Sequence, residues 1–363
     1  MSIINYIYYA TALNGCEGQK KMKKKYYFWP FFIMVCCLCS PAFPGTPEII
    51  ARSKPLLHTF VEIKAWGNNA DTAIEEAFNE MERVNSLLNT YDPGSDVSHI
   101  NQQAGGAPVP VSPETMEALK RAVFFCSITG GALDITVGPL LKLWGFGRDD
   151  VGLSGSEPDA QTIRRAKSRV NYREIELVET PMAGTVQRTG RLAKKGMWID
   201  VGSFSKGFVA DKAMAVLKKR GVQNALVITG GTVCALGKKP DGTHWQVGVQ
   251  HPRKQGGLLT VISLQNSSTS TSGDYENFYK KNGKRRTHII DPRSGMPVPH
   301  IQSVSVIAPD GMTSDALSTA LFVLGPEQGM RMVESLRGAE ALIVSEGGKI
   351  SCSKGWPEKK ISY

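Results

Sequence analysis

Asp315 and Thr319 stand four residues apart in a predicted helix that runs from a Thr313 cap to Leu324 and stops at Gly325. That spacing projects both side chains from one helix face. A carboxylate and a hydroxyl suit a hard cation such as Mg²⁺, which takes few protein ligands and completes its shell with water or phosphate. The ordinary alternative is a first-turn acid that complements the helix dipole. A hundred residues earlier, Asp200-Val201-Gly202-Ser203-Phe204-Ser205-Lys206-Gly207 reads as a strand entering a helix. Free N–H groups at such a start attract anions, and Lys206 adds a point charge one turn in. The GxxxxGK[ST] spacing of a Walker loop is absent. Ser203 and Lys206 also form an S-x-x-K acylation dyad, and the same string resembles the surroundings of a Schiff-base lysine. The dyad needs a downstream Lys-Thr-Gly strand, which only Thr271-Ser272-Gly273 approximates, with Ser270 where the lysine belongs.

Three further stretches set chemistry-bearing residues beside rigid turns. Thr269 to Glu276 (TSTSGDYE) crowds hydroxyls, a glycine and two acids, a pattern equally at home in a solvated hairpin loop. His288 precedes two apolar residues and the turn Asp291-Pro292-Arg293-Ser294-Gly295, which fixes a direction for a histidine that could orient phosphate or accept a proton. Asp134, in GGALDITVGP, could hydrogen-bond a ribose or base, with Trp144 and Phe146 walling an aromatic pocket or simply filling core. No GxGxxG occurs, so a Rossmann site is not supported.

These residues must be held by elements of both kinds. His58–Trp66 alternates like a strand, and Asn69 or Asp71 caps a helix with Ile74, Phe78, Met81, Val84, Leu87 and Leu88 on one face. Ser112 caps a second helix, with Pro113 first and Gly130 beyond its end. Residues 148–160 read as a polar loop, and strands are expected at 174–179 and 185–188. Ser203–Arg220 is a helix, and Val222–Thr229 a buried strand ending at Gly230-Gly231. Further strands are expected at 245–249, 258–264 and 303–308, and a hairpin at 342–352. No regular βαβ repeat appears, so the fold class is α+β, a single domain over residues 46–363.

Of the formal charge of +10, residues 1–45 supply +4 through five lysines and one acid, and the rest is spread without a long basic block. Nucleic acid is therefore not an expected partner. Lys23-Lys24-Lys25 followed by apolar Tyr26–Leu38 and Ser40-Pro41-Ala42 has the form of an export signal, and Pro41–Lys54 that of a linker. Met22 is an alternative start. Cys36, Cys37 and Cys39 leave open a lipid anchor at the inner membrane or a free periplasmic form. Beyond them only Cys126, Cys234 and Cys352 remain, too few for a disulfide framework.

Taken jointly, seven segments in order resemble the ApbE family of flavin transferases (FAD:protein FMN transferases). They are LLNTYDPGSDVSHIN, GGALDITVGPLLKLWGFG, WIDVGSFSKGFVADKA, ALVITGG, TSTSGDYENF, THIIDPRSGMP and SVSVIAPDGMTSDALSTALFVLG, and the similarity runs from about Leu56 to Ile343. The chain departs from the family pattern at Leu57-His58-Thr59 (commonly Met-Gly-Thr), at Thr232 (frequently Asn or Asp) and at Ser203 (often Ala). The resemblance implies one α+β domain that binds FAD and Mg²⁺. It implies transfer of FMN from FAD to a threonine of a partner flavoprotein subunit, with release of AMP. By motif position, Ser203 (through its carbonyl), Asp315 and Thr319 would ligate Mg²⁺. Thr90, Tyr91, Asp134, Lys206, Ser272, Gly273, Asp274, His288 and Ile289 would contact FAD. Asp315 and His288 would be the catalytic pair. Two rivals share these residues: an Mg²⁺-dependent FAD hydrolase giving FMN and AMP, and a non-enzymatic periplasmic FAD-binding protein.

Overall fold

The computed structural model describes residues 48–147, 157–281 and 283–357. The expected export and anchor segment, 1–45, lies outside the described residues, as does most of the expected polar loop at 148–160. Strands β1 (Ile50–Leu56) and β2 (Thr59–Trp66) form an opening hairpin. Helices α1 (Ala70–Leu88) and α2 (Asp96–Gln102), strand β3 (Val109–Pro110) and helix α3 (Pro113–Ile128) follow. Next come helices α4 (Gly138–Leu143) and α5 (Ala160–Lys167), then the hairpin β4 (Ile175–Met182) and β5 (Thr185–Leu192). Helix α6 (Ser205–Lys219) leads into β6 (Asn224–Thr229), β7 (Thr232–Leu236), β8 (Trp245–Gln250), β9 (Leu258–Leu264) and β10 (Ser267–Gly273). Short strands β11 (Phe278–Lys281), β12 (Lys284–Thr287), β13 (Ile290–Asp291) and β14 (Met296–Pro297) precede β15 (Ile301–Ala308). Helix α7 (Gly311–Ser335) and strands β16 (Glu340–Ser345) and β17 (Ile350–Cys352) close the chain.

Eight strands build one antiparallel sheet in the order β1-β2-β6-β7-β10-β15-β16-β17. Alternation along the strands sends Val61, Ile63, Val227, Val304 and Val306 into one core beneath α1, α6 and α7. Leu226, Ile228, Val233 and Leu342 point the other way, into a second core closed by the separate β8–β9 hairpin. Covered on both faces, β6 and β15 are buried almost throughout; β6 accordingly reads as an apolar run, whereas β15 carries buried Gln302, Ser303 and Ser305. The architecture is the expected α+β arrangement of mixed sheets with packed helices.

Several local expectations need correction. The linker expected to reach Lys54 is already strand from Ile50, because β1 pairs residue for residue with β2. Asn69 precedes α1 with φ 63° and caps it without a side-chain hydrogen bond. The cap of α7 is Asp310, whose carboxylate accepts from Thr313 N–H, so Thr313 lies inside the first turn. That helix does not end at Gly325: it breaks there (φ 71°, ψ −178°) and resumes through Pro326 to Ser335. Helices α2, α4 and α5, of eight residues or fewer, were not foreseen. The Ser112 and Pro113 start of α3 is as expected, Ser112 Oγ accepting from Thr115 N at 3.2 Å, a cap of about 1 kcal/mol. Cys126, Cys234 and Cys352 are free thiols, the first two buried.

Candidate active site

Two helix starts meet at a pair of glycines. A Cβ on Gly207 would lie 2.1 Å from the Gly311 carbonyl oxygen, and one on Gly311 would lie 2.7 Å from the Gly207 carbonyl oxygen, so only glycine permits this approach. Asp211, one turn further along α6, accepts the N–H groups of Gly311 and Met312 at 2.7 and 2.9 Å and pins the start of α7. Burial, with Asp310 alongside, holds the Asp211 carboxyl above its usual range. The result brings Asp315 of α7 against α6: its Oδ2 accepts the Gly207 N–H at 2.9 Å. In a continued helix that N–H would turn back to the Ser203 carbonyl. Ser203 precedes the Phe204 cap of α6, so its carbonyl is not among the acceptors of the helix.

Strand β10 completes this corner. Ser268, Ser270 and Ser272 alternate onto the α7 side of the sheet. Ser270 Oγ donates to Asp315 Oδ1 at 3.3 Å, while Ser272 Oγ lies 2.8 Å from Ser318 Oγ and 3.3 Å from Thr319 Oγ1. A buried carboxylate, a hydroxyl one turn on, further strand hydroxyls and a carbonyl that the helix does not use are all hard oxygen donors. That set suits Mg²⁺. Among the described residues no group of three or more His, Cys, Asp or Glu side chains offers a different kind of metal centre.

Beside this corner opens a cleft of about 1250 Å³. Ser203, Lys206, Asp134, His288, Ile289 and Thr319 line it, so six of the residues singled out from sequence share one surface. Lys206 donates to the Gly202 carbonyl at 3.1 Å. The charges of Asp315, Glu276 and Asp200 hold its ammonium above the usual lysine range, against the opposing effect of burial. His288 Nδ1 lies 3.1 Å from the Asn277 carbonyl oxygen, which can only accept, so Nδ1 carries the proton and Nε2 is the free base. Burial, reinforced by Lys206, pushes the imidazole down to about 4.

Other foreseen contacts sit differently. Asp315 lies behind the cleft wall, reaching it through its neighbours. Asp134 spends its carboxylate on Thr136 N and Oγ1 (2.8 and 2.6 Å) and Tyr172 N (3.0 Å), so it orders the wall it belongs to. Asp274 is clamped by Arg253 at 2.7 Å through both oxygens and also meets Arg285; with Gly273 and Ser272 it lies off the lining. Thr90 is buried, and Tyr91 meets the cleft through an edge-on contact with His58, ring centroids 6.4 Å apart. Two further acids, Glu276 and Asp200, line the cleft. Glu276 opens onto the cleft, and burial by the surrounding walls raises its carboxyl to about 7, against the pull of Lys206. Asp200 accepts from Gly202 N at 2.9 Å, and burial raises it as well. The signal for both was their place in motifs already noted, at the start of one and the end of the other.

The arrangement is a candidate anion and metal site at a helix start, with a neutral base opposite. The ApbE family model matches residues 57–343. The chain is 32% identical over 351 residues to the FAD:protein FMN transferase of Treponema pallidum, covering 92% of this chain and 96% of that protein. It is also 32% identical over 306 residues to the FAD:protein FMN transferase of Haemophilus influenzae, covering 82% and 87%. Among solved structures, the ApbE protein of Thermotoga maritima superposes with a TM-score of 0.76 at 33% identity, covering 85% of this chain and 97% of that one. The flavin transferase ApbE from Vibrio cholerae gives 0.74 at 28% identity, covering 85% and 98%. With the family model matching residues 57–343 and relatives 32% identical over most of its length, this protein belongs to the ApbE family.

Proposed function

We propose that the chain is an FAD:protein FMN transferase that moves FMN from FAD to a threonine hydroxyl of a partner flavoprotein, with Mg²⁺ required and AMP released. The observation that carries this reading is the corner at Gly207, where Ser203 and Lys206 line the cleft and Asp315 sits behind its wall, accepting the Gly207 N–H. Ser203, Asp315 and Thr319 would hold the ion, which when bound acts as a Lewis acid on the pyrophosphate and neutralises charge on the leaving phosphate. Lys206 and the start of α6 add fixed positive potential for the FAD phosphates. The acceptor hydroxyl attacks the phosphorus on the riboflavin side. The bond from that phosphorus to the bridging oxygen breaks, and AMP departs with the oxygen. His288 Nε2 takes the hydroxyl proton. Residues 23–42 motivate placing this reaction on the periplasmic side of the inner membrane, which fractionation of the native protein would test.

The direct test is incubation with FAD, Mg²⁺ and a threonine-bearing acceptor subunit. The expected result is AMP in solution and an acceptor whose intact mass has grown by one FMN less water. AMP without labelled protein would mean hydrolysis, and tight FAD binding without AMP would mean a binding protein.

Two consequences follow from the cleft's titrations. Because His288 stays neutral down to about pH 4, the acid limb of kcat/KM should fall near pH 4 in the free enzyme, not near the ordinary histidine value of about 6.5. A pH series on wild type and His288→Asn measures this. Glu276 is protonated below about pH 7 and charged above it, so it should repel the FAD pyrophosphate increasingly on the alkaline side. Glu276→Gln should therefore lower KM for FAD several-fold at pH 8.5 and hardly change it at pH 6. An equal effect at both values would remove Glu276 from the electrostatics of binding.

A further inference from the structure

The cleft is larger than the ~300–1,000 Å³ that one small ligand ordinarily fills, and its lining divides by sheet face. One lobe holds Lys206, Ser203, His288 and Thr319. The other passes the Gly230-Gly231 turn onto the opposite face, where Phe60, Ile228, Val233 and Thr269 form a floor. Its far wall is Val247, Gly248, Val249 and Gln250, four consecutive residues of β8. Side chains of a strand alternate, so four in a row cannot all point into one space. What faces the lobe is therefore the backbone edge of β8. Among the described strands it pairs only with β9, so along Val247–Gln250 its other edge carries amides and carbonyls that no described strand takes up.

We propose that this edge is the docking site for the acceptor: an extended segment of the partner flavoprotein adds to β8 as a third strand and carries its threonine around the glycine turn to His288. The proposal rests on the transferase reading. Strand addition takes affinity from main-chain hydrogen bonds and is therefore suited to an acceptor recognised mostly by backbone. One feature of the floor favours a polypeptide: the apolar ring of Phe60 is 58% exposed at the lobe. None of the eight lobe residues named above is cationic, so this lobe is unsuited to the pyrophosphate, which belongs with Lys206.

Hydrogen exchange tests this directly. The probe is an acceptor segment that is labelled in the transfer assay, with its threonine replaced by valine so that it binds without turnover. Alternate amides within Trp245–Gln250 should exchange at least about tenfold more slowly with the probe, and the β9 amides should not change. Slowing of the β8 amides by FAD alone would assign the lobe to the dinucleotide and overturn the proposal. Labelling of the parent segment without β8 protection would also overturn it, leaving the transferase reading intact. Failure to label any acceptor would remove that reading first. A kinetic test is independent. Of Gly248 and Val249, adjacent in a ladder, one N–H points to β9 and the other to the lobe. Of Gly248→Pro and Val249→Pro, one should therefore fold normally, raise KM for the acceptor about tenfold or more and leave KM for FAD unchanged. Two folded variants with normal acceptor KM would sink the proposal. If neither folds, hydrogen exchange decides.

Discussion

Asp315→Ala is expected to lower FMN transfer about 10³-fold and to leave a residual activity that no longer responds to Mg²⁺. Loss of Lewis-acid assistance worth several kcal/mol corresponds to that factor at about 1.4 kcal/mol per decade. His288→Ala should cost less, about 10²-fold, because general-base help lies at the lower end of what positioned acids and bases contribute. The alanine variant has a second effect, since Asp315 also accepts the Gly207 N–H at 2.9 Å and a bond from Ser270. Asp315→Asn separates the two. It keeps an acceptor for Gly207 and should fold with a near-native Tm, yet it lacks the charge that holds the ion. The check is an Mg²⁺ titration of transfer, read by intact mass and by AMP release. If Asp315→Ala labels its acceptor with the wild-type Mg²⁺ dependence, the metal assignment is wrong.

Gly207→Ala is the second large effect, and it comes from one methyl group. The added Cβ would stand 2.1 Å from the Gly311 carbonyl oxygen and 2.7 Å from the Met312 nitrogen, both backbone atoms that no rotamer change can move. Overpacking of this kind costs ~1–3 kcal/mol, occasionally more, so Tm should drop by several degrees. Activity should fall further than stability, because the methyl separates α6 from α7 where Lys206 faces Asp315. Transfer measured well below Tm should be reduced at least about tenfold, with weaker Mg²⁺ dependence. Full activity in a destabilised protein would mean that the corner tolerates a gap and that the glycine pair serves only packing.

Much of this corner was legible in the residues because its signals are local. The Asp315–Thr319 spacing, the Gly-Ser entry to α6 and the His288 turn each carry their geometry within a few residues. The buried strand β6 was legible as an apolar run. Strand β10 was not, since a run of serines and threonines has no apolar alternation. It is buried because its hydroxyls are satisfied by Ser314, Asp315 and Ser318 across the interface, and no window along the chain reports those partners. The occupation of Asp134 by Thr136 and Tyr172, and of Asp274 by Arg253, was hidden for the same reason: spacing places a carboxylate but not the donors that claim it. Helices α2, α4 and α5 are too short for a 3.6-residue period to declare itself. Asp310 escaped notice as the α7 cap because Thr313, three residues on, is an equally good capping residue type.

The break in α7 at Gly325-Pro326 has a mechanical consequence. The stretch bearing Asp315 and Thr319 is a short rod fixed at one end by Asp211 and released at the other by a reversed glycine. Strain arising in the later stretch, out to Ser335 and the turn into β16, meets a joint before it reaches Asp315 and Thr319. Grafts or insertions near 336–339 should therefore leave catalysis insulated, whereas Gly325→Ala, which sets a side chain at φ 71° ahead of Pro326, should strain the joint itself.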